Sequence, residues 1–244
     1  TFVDFEFQIK QVGVISGATA TELAMLEKSA KDLGSSTAFT AGEVAGLQKE
    51  LAKLGFDPTE IENMTSSVLD LAFAFGDDLG TTATAVGSTL RQFNLDSSEA
   101  TRVTDVMATA FANSSLDLAK FETAMAKSAP VAQALGFTLE DTTAILGTLT
   151  NAGLDASTAG TSLKNIFLKL ADPTGDLAKS LGRNITSVDE LVPAMNELVA
   201  SGIDVAGMLD ITDKRSVTAF ASMLSGSESI TEMSEKLQNA QGTT

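Results

Sequence analysis

Gly55-Phe56-Asp57, Asn94-Leu95-Asp96, Gly136-Phe137-Thr138 and Gly153-Leu154-Asp155 repeat one phrase: Gly or Asn, an apolar residue, then a helix-capping residue. Each term has a physical reading. Gly or Asn takes the left-handed conformation that ends a helix. The apolar residue precedes the next N-cap, where it staples back onto the following turn. Asp or Thr then accepts from the free N–H groups of that first turn. Three residues after the caps come Glu60, Glu99, Asp141 and Thr158. The first three put negative charge where the helix dipole favours it. Pro58 falls at the first helical position, which tolerates it best. Thr40-Ala41-Gly42-Glu43 is a further capping box.

Between the phrases the apolar spacing is helical. Phe2, Phe5, Ile9 and Val12 are separated by three or four residues, as are Leu23, Leu26, Ala30 and Leu33. No long stretch alternates as a strand would. Softer breaks fall at Gly76-Asp77-Asp78, Asn113-Ser114-Ser115, Pro130, Asp172-Pro173-Thr174-Gly175 and Ser225-Gly226-Ser227. The expected fold is therefore all-α: an irregular array of roughly a dozen short helices, about 10–17 residues each, joined by tight Gly- or Asn-capped turns. The phrases recur at no fixed period, which argues against a solenoid of identical repeats. Composition shifts near Asp172-Pro173, so the expected division is 1–173 and a C-terminal helical extension, 174–244.

Composition limits the chemistry. The 244 residues contain no Cys, His, Trp or Tyr, and the 16 basic and 32 acidic side chains leave a formal charge of −16. Without His, no Ser-His-Asp or Cys-His nucleophile system can be built. Zinc, His-ligated haem and iron–sulfur clusters lose their usual ligands. The charge disfavours phosphate backbones and anionic membrane surfaces, which select clustered Lys and Arg. The most hydrophobic stretch, Leu69 to Phe75, is far shorter than a membrane span. The chain starts at Thr1 without Met and stops on Gln241-Gly242-Thr243-Thr244, so it is expected to be a piece of a longer protein.

The remaining candidates read as structural. Asp57, Glu60, Glu62, Asp77 and Asp78 lack the spacing of a calcium loop. Capping accounts for all of them except Glu62, expected on the surface. Gly80 through Gly87-Ser88 lacks the Lys of a phosphate loop. Asn63-Met64-Thr65, Asn113-Ser114-Ser115 and Asn184-Ile185-Thr186 fit a glycosylation triplet that is common by chance. Met64, Met107, Met125 and Met195 fall on apolar helix faces and are expected to fill core. No catalytic, cofactor-binding or metal-ligating residue is expected, and the protein is expected not to be an enzyme.

Longer phrases carry a resemblance. They include Thr37-Ala38-Phe39-Thr40-Ala41-Gly42-Glu43, Leu51-Ala52-Lys53-Leu54-Gly55-Phe56 and Val68-Leu69-Asp70-Leu71-Ala72 with Gly76-Asp77-Asp78-Leu79. Ala129-Pro130-Val131-Ala132 with Leu135-Gly136, and Ala159-Gly160-Thr161-Ser162-Leu163 leading to Asp172-Pro173, are the most specific. On these the chain resembles the helical domain of phage tail tape measure proteins, strongly to about Pro173 and more loosely beyond. Asn94 and Leu54 depart from the family's more usual Gly and Ala. The resemblance implies a structural virion protein of a phage or prophage tail, involved in tail assembly, length determination and genome ejection. It implies tail tube, tail tip or baseplate proteins and assembly chaperones as partners, and a homo-oligomer in the tail. It implies no sequence-specific nucleic acid, and any host-membrane contact through other parts of the full-length chain. The rival readings are a non-viral helical scaffold or adaptor that binds a partner peptide, and a secreted membrane-active helical protein.

Overall fold

Two helices lie at the middle of their packing, one with a solvated side at Glu43, Lys49, Glu50 and Lys53 and one buried almost throughout. One is Ala41–Lys53, with Val44, Ala45, Leu47, Gln48, Leu51 and Ala52 all buried. The other is Leu139–Asn151, in which every residue from Leu139 to Thr150 is buried. A computed structural model describes residues 2–183 and 185–243, with the side chains of Phe2 and Val3 outside that set.

Among the described residues there are fourteen α-helices, one 3₁₀ turn and no strand. In chain order they are α1 (Phe2–Ser16), α2 (Ala20–Ser36), α3 (Ala41–Lys53), α4 (Pro58–Phe75), α5 (Leu79–Gln92), α6 (Ala100–Asn113) and α7 (Leu118–Leu135). Then follow α8 (Leu139–Asn151), α9 (Ala156–Leu170), α10 (Asp176–Leu181), α11 (Val188–Ala200), α12 (Val205–Ile211), α13 (Val217–Ser225) and α14 (Ser227–Gln238). The all-α expectation holds. Lengths spread more widely than expected, from 6 residues in α10 to 18 in α4 and α7.

The chain groups into two compact units. One comprises the residues up to Ala108 together with those from Gln241; the other runs Thr109–Ala240. The turn at Asp172-Pro173 lies within the second unit, between α9 and α10. In the first unit α3 is the centre, packed by α1, α2, α4 and α5. Asp105 is buried there, and its two carboxylate oxygens accept from the backbone N–H groups of Gly242 and Thr243, each at 2.9 Å. In the second unit α8 is the centre, flanked by α7, α9, α13 and α14. Three of its buried threonines bond locally: Thr142, Thr148 and Thr150 donate to carbonyls one turn back at 2.8–3.0 Å, while Asp141 accepts from Ser234 of α14 at 3.3 Å.

The four turn phrases share one geometry. Gly55, Asn94, Gly136 and Gly153 all have positive φ, at 84°, 52°, 94° and 92°. After each, the apolar residue's N–H returns to a carbonyl five residues back: Phe56 to Leu51, Leu95 to Leu90, Phe137 to Ala132, Leu154 to Leu149. This is the Schellman closure. Asp57, Thr138 and Asp155 then cap α4, α8 and α9, while Asp96 caps the 3₁₀ turn Ser97–Glu99 that leads into α6. Gly17-Ala18-Thr19 and Gly202-Ile203-Asp204 make the same turn, with φ of 70° and 79° at the glycines. Thr19 and Asp204 cap the helices that follow.

One expected break is corrected. Pro130 does not end a helix but lies inside α7. Its missing N–H frees the carbonyl of Ala126, and both residues lie on the exposed face, where water can take that bond. The breaks at Gly76, Asn113, Asp172 and Gly226 do separate helices.

α7 and α9 make the most extensive helix pairing because α9 carries Gly160 at the crossing. A Cβ there would lie 2.5 Å from the carbonyl oxygen of Ala124. Gly160→Ala should therefore cost about 1–3 kcal/mol through overpacking. Gly46→Ala, where nothing lies within 4 Å, should instead stabilise by up to about 1 kcal/mol through helix propensity. Denaturant titration of both variants checks this contrast.

Candidate functional site

The acidic residues read as a possible cluster separate into distinct jobs. Asp57 accepts from the Glu60 N–H at 2.9 Å, and Glu60 reciprocates to the Asp57 N–H at 2.8 Å. Asp78 caps α5 by accepting from the Thr81 N–H at 2.9 Å. Two expectations are corrected. Asp77 is not a cap: it closes the turn after left-handed Gly76 by donating its N–H to Ala72, the place that Phe56 and Phe137 hold in their turns. Glu62 is not a plain surface residue; it is half-buried, with Oε2 out of water and lacking a hydrogen-bond partner.

Gly80 to Gly87 belongs to helix α5 rather than a loop. Gly87 is there for packing, since a Cβ would lie 2.6 Å from Leu54 and 3.0 Å from the Phe56 ring. Of the glycosylation triplets, Met64 and Thr65 are buried within α4, Asn113 donates back to the Thr109 carbonyl, and Asn184 lies outside the described residues. The four methionines are core, each at most 1% exposed. Among the described residues no group of three or more Asp and Glu is placed to hold a metal ion. Nor is any described helix long and apolar enough to cross a membrane.

What the fold does build is a groove and a patch. The groove lies in the first unit, about 960 Å³, where α1 and α3 meet the turn into α5. Phe5, Leu47 and Leu79, buried in the core, line its base, and the carboxylates of Asp4, Glu43, Glu50, Asp77 and Asp78 outnumber Lys31 and Lys49 along it. Its edge is aromatic: Phe39 meets the 65% exposed Phe73 edge-on, centroids 6.4 Å apart. Sequence reasoning missed this site because its residues come from four separate segments.

Two of the groove's carboxylates titrate low. The Thr40 backbone N–H, with the Thr40 hydroxyl, holds Glu43 below its ordinary value, and the Thr81 N–H does the same for Asp78. Burial instead pushes Asp70, on the outer side of α4, upward.

The patch lies in the second unit. Lys169 and Asn165 on α9 meet the α12–α13 turn, Asp213-Lys214-Arg215, around Leu168, which is 49% exposed. Lys164, Lys169, Lys214 and Arg215 form no ion pair with a described residue. Asp213 lies among them, and Asp172, Asp176 and Asp210 border the adjoining hollow that Leu168 and Lys169 share, so the positive charge is concentrated at Lys214 and Arg215.

The family model for the phage-related minor tail proteins matches residues 27–183. The tape measure protein of Pneumococcus phage Dp-1 is 33% identical over 98% of this chain. The chain belongs to the phage tail tape measure family. A probable tape measure protein of Escherichia phage P2 is 31% identical over 67% of the chain. The alignments cover only 22% and 20% of those two tape measure proteins, so the chain spans about a fifth of their length.

Two outcomes follow for the carboxylates. A carboxylate whose folded value is lowered stabilises the fold when ionised, so Glu43 and Asp78 contribute fully above their ordinary values of 4.5 and 3.8 and lose that contribution below them. The melting temperature should hold steady from about pH 7 to about pH 5 and fall below that, less steeply in Glu43→Gln. Millimolar Ca²⁺ or Mg²⁺ should leave the melting temperature unchanged; a rise of several degrees would reveal a metal site.

Proposed function

We propose that this segment is a folded, non-catalytic module of a tape measure protein in the tail of a phage or prophage. It serves tail assembly and genome delivery near the tail tip rather than acting as the ruler itself. Membership of the tape measure family supports a place in the virion tail. The observation that carries the finer reading is compaction. No described helix exceeds 18 residues, which is about 27 Å at 1.5 Å per residue. A ruler gains most length per residue from long uninterrupted helix, and in this protein that would be supplied by sequence outside the segment.

In this reading the module meets tail tube and tip or baseplate proteins, is handled by assembly chaperones, and is present in several copies per tail. It reads no nucleic-acid sequence, and contact with the host membrane falls to other parts of the full-length chain. The stretch to Asp172-Pro173 is the family's shared part, and 174–244 extends it; the family model's end at residue 183 supports that division.

In-frame deletion of the whole segment from the phage genome separates module from ruler. We expect no tails, or tails of ordinary length that do not deliver DNA, as scored by electron microscopy and plaque formation. Infectious particles with tails shortened by about 1.5 Å per deleted residue would assign the segment to the ruler.

A further inference from the structure

The groove and the patch carry opposite charge and each has an exposed apolar side chain at its centre or edge. We infer that they are the two halves of one contact between copies of this chain: the Leu168 patch of one copy docks on the acidic groove of a second. The match is specific in chemistry. Lys214 and Arg215 are exposed and lack an ion-pair partner among the described residues, and Leu168, 49% exposed, lines the same patch with Lys169 and Asp213. The groove is lined by Asp77 and by Glu50, which also pairs with Lys53 at 2.8 Å, and has the Phe39–Phe73 pair at its edge. Docking would bury Leu168 against exposed Phe73 and place the guanidinium and ammonium groups among carboxylates. Two of these, Glu43 and Asp78, are held below their ordinary values by the cap bonds they accept from Thr40 and Thr81.

The contact is heterologous, because each copy gives a different surface. A heterologous contact repeats from copy to copy, closing into a ring or continuing as an open filament according to its rotation. It rests on the reading that several copies share one tail, and it adds which surfaces meet. Charge dominates such a contact, so salt should weaken it.

The test uses the full-length chain, with any cysteines outside this segment replaced by Ser; the segment itself has none. Copies carrying Phe73→Cys and copies carrying Leu168→Cys, differently tagged, are co-expressed and treated with a short bismaleimide. A cross-link joining the two tags is expected. It should fall at least about tenfold in about 0.5 M salt, and similarly when the Leu168→Cys copy also carries Lys214→Glu and Arg215→Glu. Adding Glu50→Lys and Asp77→Lys to the Phe73→Cys copy should restore it, which separates a lost contact from a lost fold. No cross-link, indifference to the charge reversals, or failure of the swapped pair to restore it would overturn the inference. So would capture of the Lys214 patch by heparin or anionic vesicles with no cross-link between copies. The cross-link is scored on protein outside tails. Its failure therefore leaves the tail reading standing, and an infectious whole-segment deletion sinks the tail reading without touching the contact.

Discussion

The turn from left-handed residue to apolar residue to N-cap is the constraint on which the rest of the structure depends. A chain of short helices ends often, and each end leaves backbone groups without intrahelical partners. Here one three-residue turn serves both ends. Gly136 turns the chain, the Phe137 N–H closes onto the Ala132 carbonyl at 3.0 Å, and Thr138 accepts from Asp141 at 3.1 Å to open α8. The middle residue also fixes direction, since Phe56 and Phe137 are each 2% exposed. At Gly55 a cation reinforces the turn: Arg91 donates to the Gly55 carbonyl at 3.0 Å and lies 4.1 Å over the Phe56 ring.

The most extensive pairings, α7 with α9 and α1 with α3, skip a helix, so the core follows from which helix lies in the middle. α8 takes that place because it has no solvated face, whereas α3 keeps Glu43, Lys49, Glu50 and Lys53 toward solvent and is packed on its apolar side by its four neighbours. Small residues set how near the others come. Gly87 admits Leu54 and Phe56, and Gly160 admits the backbone of Ala124. The burial of Thr142, Thr148 and Thr150 costs little, because their hydroxyls bond to carbonyls of their own helix.

Function follows from the same economy of length. Residues spent on caps and turns do not extend a rod, which is the physical basis for the proposal that this segment is not the ruler. Of the groove's carboxylates, Glu43 and Asp78 serve helix starts and Asp77 follows a helix end, so part of the groove's charge is a by-product of helix ends gathered in one place.

The phrases at Gly55, Asn94, Gly136 and Gly153 were legible from sequence because a positive φ, a closing N–H and a cap are local requirements met by three adjacent residues. Gly17-Ala18-Thr19 and Gly202-Ile203-Asp204 obey the same rule and were passed over, the first because Ala is a weak apolar signal. Pro130 was misread for the opposite reason: whether a proline ends a helix depends on where the freed carbonyl points, and burial decides that. Asp77 looked like its neighbour Asp78, but only the fold distinguishes the residue that closes one helix from the one that opens the next. The groove and the Leu168 patch were not legible at all. Residues 4, 31, 39–50 and 77–80 come together through long-range packing, and no local spacing encodes which helix ends will share a face. Sequence determined the helices and their turns, because those are settled within a few residues; tertiary structure alone decided the surfaces, because those depend on which helices α3 and α8 draw around themselves.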